Sequence, residues 1–190
     1  MEVDNLAADA ESFTANAWLV DDAVLVDAGS DPVVLDRLDA VDAVLVTHSH
    51  HDHIENLPAI VDRFDPDVYA FAPDNLPVDA TQVQDGDTVE AAGEAFDVLH
   101  TPGHRDDHVC FYNEDEKVLF AGDLVFPGGG FGRTDLEQGD RDRLIESIDR
   151  ITGLDVQALY AGHGDAATEN VADQIRESLV EAEKREPKYS

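Results

Sequence analysis

Four histidines and an aspartate follow one another in Thr47-His48-Ser49-His50-His51-Asp52-His53, directly behind the apolar stretch Val44-Leu45-Val46. Neutral imidazoles and a carboxylate are the ligands a borderline divalent cation such as zinc prefers, and spacing decides whether they converge. In an extended chain side chains alternate with period two, so His48 and His50 share one side and His51 points away. If a helix begins at Asp52, that residue and His53 swing toward a second position near the first, where a helix N-terminus suits a carboxylate. The alternative is a histidine-rich surface turn. With this chain's own His and Asp frequencies, a random His-x-His-x-Asp-His match arises in about two chains in a thousand, so chance explains it poorly.

The rest of the chain has to supply a scaffold for that cluster. Its 190 residues are about one domain's length, and we expect a single domain over 1–190. A 43% hydrophobic content argues against the disorder that a net charge of −31 would otherwise favour. The 43 acidic residues are spread throughout against 12 basic ones, and lysine occurs only as Lys117, Lys184 and Lys188. Such a surface fits a halophilic protein in molar salt, where the Debye length falls to about 3 Å and self-repulsion weakens. The alternative is an anionic protein at ordinary salt that recruits cations or a basic partner. Either way the charge disfavours nucleic acid, though less strongly in molar salt. The single cysteine, Cys110, excludes an internal disulfide and a cysteine-based zinc site; inside Val109-Cys110-Phe111-Tyr112 it reads as core. Residues 1–10 lack a signal-peptide pattern and no apolar run approaches the roughly 20 residues that span a bilayer, so a soluble, cytoplasmic protein is expected, with a homo-oligomer compatible.

Strand-like runs rich in Val, Leu, Phe and Tyr recur at 17–20, 23–27, 43–47, 68–71, 96–100, 108–112, 117–121 and 157–161. Helical patterns lie between them. Ser30-Asp31-Pro32 offers a cap and a first-turn proline ahead of Val34, Leu35 and Leu38. Ile54, Leu57, Ile60, Val61 and Phe64 repeat at helical spacing behind the histidines, with Pro58 tolerable near a first turn. Leu144, Ile145, Ile148 and Ile151 mark a helix from about Asp140 to Gly153, and Val171, Ile175 and Leu179 mark a last one closing before Pro187. This alternation indicates an α/β protein with its sheets covered on their outer faces.

The cluster alone cannot close two metal sites, and further candidates stand after strands. The run 96–100 leads into Thr101-Pro102-Gly103-His104, 118–121 into Gly122-Asp123, and 159–161 into Gly162-His163-Gly164. Each follows small residues that let backbone bring a ligand close. The ordered set His48-x-His50-x-Asp52-His53, His104, Asp123 and His163 resembles the metallo-β-lactamase fold and, within it, the glyoxalase II-like hydrolases. The resemblance runs from the Asp27-Ala28-Gly29 turn to Gly162-His163-Gly164. It implies an αββα sandwich of two mixed β-sheets flanked by helices, with the metals at one edge.

Residue by residue, the resemblance implies that His48, His50 and His104 bind one cation and Asp52, His53 and His163 a second. Asp123 would bridge the two together with a water or hydroxide. The cofactor would be two divalent ions, zinc first, with iron or manganese as alternatives. Asp52 and Asp123 would take part in catalysis. Asp27 resembles the family's turn aspartate, which orients a ligand from behind, or is a simple turn residue. His108, four residues after His104, has a supporting, substrate-contacting or purely structural role; His51 and His100 read as structural. Pro127-Gly128-Gly129-Gly130-Phe131-Gly132-Arg133-Thr134-Asp135 resembles the family's glycine-rich loop at the substrate mouth. There Arg133 and Phe131 are candidate substrate contacts, and Arg133 equally suits a salt bridge with an aspartate.

The expected chemistry is metal-assisted hydrolysis of a thioester, ester or related acyl bond in a small molecule, by attack of a metal-held hydroxide. Full-length glyoxalase II enzymes carry an extra C-terminal helical region that helps bind glutathione, whereas about one helix follows His163 here, so the thiol stays open. Gly132-Arg133-Thr134-Asp135 also resembles persulfide dioxygenases, which would use a single iron on His48, His104 and Asp123. A two-metal nuclease of the same superfamily and a metal-stabilised interaction protein with little turnover are the remaining alternatives.

Overall fold

The computed structural model describes residues 1–184. The closing of the last helix before Pro187 lies outside them.

Six strands form the first sheet in sequential order: β1 (Val3–Asn5), β2 (Trp18–Val20), β3 (Val24–Val26), β4 (Ala43–Val46), β5 (Asp67–Ala70) and β6 (Thr81–Gln82). The first three pair antiparallel and the rest in parallel, so the sheet is mixed. The parallel connections carry α1 (Val33–Arg37), α2 (His51–Ile54) and α3 (Leu57–Phe64). The second sheet holds β7 (Thr88–Ala91), β8 (Glu94–His100), β9 (Val109–Asn113) and β10 (Val118–Gly122), with β13 (Ala158–Ala161) parallel to β10 at the opposite edge from β7. A small ribbon, β11 (Val125–Phe126) with β12 (Gly130–Phe131), precedes α4 (Arg141–Ile151), and α5 (Val171–Lys184) follows β13.

Period-two alternation sorts the side chains into three cores. Val24, Val26 and Leu45 face Phe96, Val98, Phe111 and Phe120 between the sheets. Their sequence neighbours Leu25, Val44 and Val46 pack outward on Val34, Leu38, Leu57 and Ile60 of the helices. On the far side Cys110, Leu119 and Leu159 meet Leu144, Ile148, Val171 and Ile175. Two sheets buried on both faces read as near-continuous apolar runs, which is why their strands stood out in the sequence. The result is the expected αββα sandwich of two mixed sheets.

The single helix expected across Ile54 to Phe64 is split. Pro58 sits in the first turn of α3, where its missing N–H costs nothing, and the preceding Asn56 turns its side-chain amide to the carbonyls of Ala28 and Asp31. Asp140 accepts from the Arg143 N–H as the cap of α4. Among the described residues no helix is long and apolar enough to cross a membrane.

Candidate metal centre

Four chain segments meet at one edge of the sandwich. Residues 48–53 leave β4 and wind into α2, His104 follows β8, Asp123 follows β10 and His163 follows β13. Their ligand atoms fall into two groups, each with all atoms within 4.8 Å of one another: His48, His50, His104 and Asp123, and Asp52, His53 and His163. Asp123 touches both. Its Oδ2 lies 3.4 Å from His104 Nε2 and 3.7 Å from His163 Nε2, and its Oδ1 lies 3.5 Å from His53 Nε2. Asp52 Oδ2 is 3.3 Å from His163 Nε2 and 3.9 Å from His53 Nε2.

Hydrogen bonds behind the rings decide which nitrogens face inward as lone pairs. His104 Nδ1 lies 2.8 Å from the Arg133 carbonyl oxygen, which can only accept, so Nδ1 carries the proton and Nε2 is bare. Asp27 accepts the Thr47 N–H and hydroxyl, both at 2.8 Å. With its own proton committed there, Thr47 Oγ1 accepts from His48 Nδ1 at 3.0 Å, and His48 Nε2 is bare too. His53 Nδ1 reaches Asp27 Oδ2 at 2.8 Å. His48 Nε2 and His104 Nε2 then both abut His50 Nδ1, at 3.0 and 2.9 Å. One proton on His50 cannot satisfy both, whereas a cation among the three nitrogens would. The other group has a matching signature: His53 Nε2 and Asp123 Oδ1 are buried with no hydrogen-bond partner. Leaving both orphaned is costly, and a divalent cation between them removes the cost.

The electrostatics agree. Burial and then the Coulombic field of neighbouring histidines push His48 well below the ordinary imidazole range. Burial and then His104 bring His50 down to about 4. Both are therefore neutral, as ligation requires. For Asp123 burial opposes ionisation, but His53, His163 and His104 outweigh it and hold the carboxyl well below the usual range. At His53 burial is likewise outweighed, here by Asp27 and Asp123, which raise its affinity for a positive charge.

The supporting residues differ in kind. Asp27, at φ 58° in the left-handed region, fastens Thr47 and His53 together through its carboxylate. His108 is fully buried; its Nε2 accepts the Asp123 N–H at 3.0 Å and its Nδ1 meets Thr101 Oγ1 at 2.9 Å, so it fixes the Asp123 backbone. His51 turns outward to Glu55, and His100 stacks on Phe71. Arg133 forms a two-pronged pair with Asp135 at 2.9 and 3.0 Å on the rim. Phe131 packs against the outer core. Glycines admit the close approach expected of them: a Cβ on Gly162 would stand 2.2 Å from Asp123 Oδ1.

Several contributors had no sequence signal. Asn16 holds the Ala161 and Gly164 carbonyls and so braces the His163 turn. Asp107 takes Ser49, Asn75 and Arg105, pinning the residue between His48 and His50. A pocket of about 470 Å³ opens over the ligands, walled by Phe13, Phe126 and Leu136 as well as Arg133.

The family model for the metallo-beta-lactamase superfamily matches residues 12–163. The chain belongs to that superfamily. A hydroxyacylglutathione hydrolase of Aliivibrio fischeri is 38% identical over 157 residues, covering 77% of this chain and 60% of its own. The chain thus spans about half to three-fifths of the length of the curated relatives it matches. Among solved structures, the B3 metallo-beta-lactamase BLEG-1 superposes with a TM-score of 0.78 at 27% identity, over 91% of this chain and 95% of that one. TTHA1623 in a di-iron-bound form gives 0.72 at 29%, over 88% and 94%. These relatives are named as hydrolases, and this chain carries a histidine–aspartate cluster that could hold metal within the same fold.

Proposed function

We propose that the protein is a dinuclear hydrolase of small thioesters or esters, acting as one domain. The observation that carries this reading is the pair of ligand groups joined through Asp123, with His53 Nε2 and Asp123 Oδ1 orphaned between them. His48, His50 and His104 would hold one cation, Asp52, His53 and His163 the other, and Asp123 both. Zinc suits the nitrogen-rich set, and iron or manganese are the alternatives. Such cations would supply a water whose pKa is lowered toward about 7 and positive charge for a developing oxyanion.

The chain's own residues do the rest. Asp123 ionises readily and sets the spacing of the two groups. Asp52 lines the pocket and is half-buried, so its carboxylate can orient an incoming water and take up its proton. No serine, threonine or cysteine lines the pocket among the described residues, and Cys110 is buried with its thiol pushed up to about 12 by burial. Water is therefore the available nucleophile. The Asp52, His53 and His163 group is what favours a second metal over a single iron. Two metal ions per chain by elemental analysis, thioesterase activity lost on chelation and restored by metal, and Asp123→Ala losing metal and rate together are the expected results. One ion per chain, or an apoprotein with full activity, overturns the proposal.

A further inference from the structure

Three large hydrophobic side chains are notably exposed among the described residues, and two of them, Phe13 (80%) and Leu136 (39%), wall the pocket over the ligands. Exposed apolar groups scattered singly need no explanation, but two gathered at one mouth do. Phe13 stacks on the His163 ring at 5.3 Å between centroids, and Phe126 meets the same ring from another direction at 6.2 Å. The aromatic surface thus begins at the reacting centre and runs outward to the rim.

Away from the ligand groups, the polar side of the pocket offers little to an anion. Arg133 is the one cationic side chain besides histidines lining it among the described residues, and the Nε–Nη2 edge of its guanidinium lies on Asp135. Arg105, next to His104, is held in the same way by Asp107 and Ser49. The net charge of −31 adds a repulsive field at low ionic strength.

Resting on the hydrolase reading above, we propose that this pocket selects neutral thioesters or esters with an apolar acyl chain and disfavours carboxylate-bearing thiol carriers such as tripeptide thioesters. Asp135 is the residue that enforces the second preference, by occupying the Nε–Nη2 edge that would otherwise take a carboxylate. Phe13, Phe126 and Leu136 give the first, since each fully buried methylene is worth up to about fourfold and an open pocket about twofold.

The test uses the metal-loaded protein in about 2 M KCl, where screening removes the net-charge contribution and leaves the contacts. Acetyl, butyryl and hexanoyl thioesters are compared on N-acetylcysteamine, which is neutral, and on glutathione. The expected kcat/KM rises about tenfold from acetyl to hexanoyl, chiefly through KM, and is at least about tenfold higher on the neutral carrier. Phe13→Ala flattens the chain-length dependence and Phe13→Leu restores part of it. Asp135→Asn frees Arg133 and narrows the gap between carriers by raising turnover of the glutathione thioester. Equal or better use of glutathione by the unaltered protein, or no dependence on acyl length, overturns the inference. Binding of the S-hexyl thioethers of both carriers, by calorimetry, separates the two readings. If no thioester is cleaved but the neutral thioether binds tighter, the hydrolase reading fails and the pocket inference stands; equal binding sinks the inference as well.

Discussion

Replacing Asp27 by asparagine should separate the geometry of the metal centre from the stability of the fold. The carboxylate is 2% exposed and receives the Thr47 N–H, the Thr47 hydroxyl and His53 Nδ1, each at 2.8 Å. Because a carboxylate only accepts, it obliges the His53 proton on that side to stay on Nδ1 and leaves Nε2 to the cation. Asparagine has the same shape and tolerates the left-handed backbone at φ 58°. Its amide oxygen must keep facing the Thr47 N–H, so its NH2 comes to face His53 Nδ1. Nδ1 must then accept, the ring proton moves to Nε2, and the lone pair is withdrawn from the ligand set.

The expected cost in metal affinity at His53 is about 10–100-fold, the usual loss when the group behind a ligating histidine is removed. The fold should lose only about 1.5–3 kcal/mol, the worth of a hydrogen bond to a charged group. Alanine is the control. It strands up to three buried donors at about 1–3 kcal/mol each, and the left-handed conformation adds about 1–2 kcal/mol more. Chelator competition would read the affinity, urea unfolding the stability, and the imidazole 15N shifts of His53 in loaded protein the tautomer. An asparagine variant that binds metal as tightly as the unaltered protein, or one as unstable as the alanine variant, refutes the argument.

Gly162→Ala would place a methyl 2.2 Å from Asp123 Oδ1 and 2.7 Å from His53 Cε1. A displacement of that kind at the reacting centre costs about 100-fold in rate, with far-ultraviolet circular dichroism unchanged. Cys110 is fully buried with its thiol raised to about 12, so alkylation by iodoacetamide at pH 8 should need denaturant; labelling of the native protein at a free thiol's rate would contradict this burial. If the acidic surface is a halophilic adaptation, the urea midpoint should rise steeply between about 0.1 and 2 M KCl, and a flat dependence would count against it.

The sandwich was legible because its strands are buried on both faces. Val24-Leu25-Val26 serves the inter-sheet core at its outer positions and the helix-facing core at its middle one, and Cys110-Phe111-Tyr112 does the reverse. Strands without that burial left no apolar run: β6 (Thr81–Gln82) is exposed, and β7 (Thr88–Ala91) buries only alternate residues. The break between α2 and α3 was invisible for another reason. Apolar spacing carries across it, and the Asn56 contacts that make the break are with the carbonyls of Ala28 and Asp31, far back in the chain.

The candidate ligand set was legible because a metal ligand must be one of a few residue types, and a strand end followed by glycine shows where the chain can bring it close. What orients a ligand obeys no such restriction. The carbonyl behind His104 could come from any residue; it comes from Arg133, whose side chain had drawn attention for an unrelated reason. Asn16 braces the His163 turn from the opposite end of the chain, and Phe13 earns its place by stacking on an imidazole 150 positions away. Asp27 stood out through its resemblance to the family's turn aspartate, and His108 through its place four residues after His104. A polar side chain on a buried strand end has to be satisfied, and the partners that satisfy these two include His53 and the Asp123 backbone, both in the candidate ligand set, beside Thr47 and Thr101.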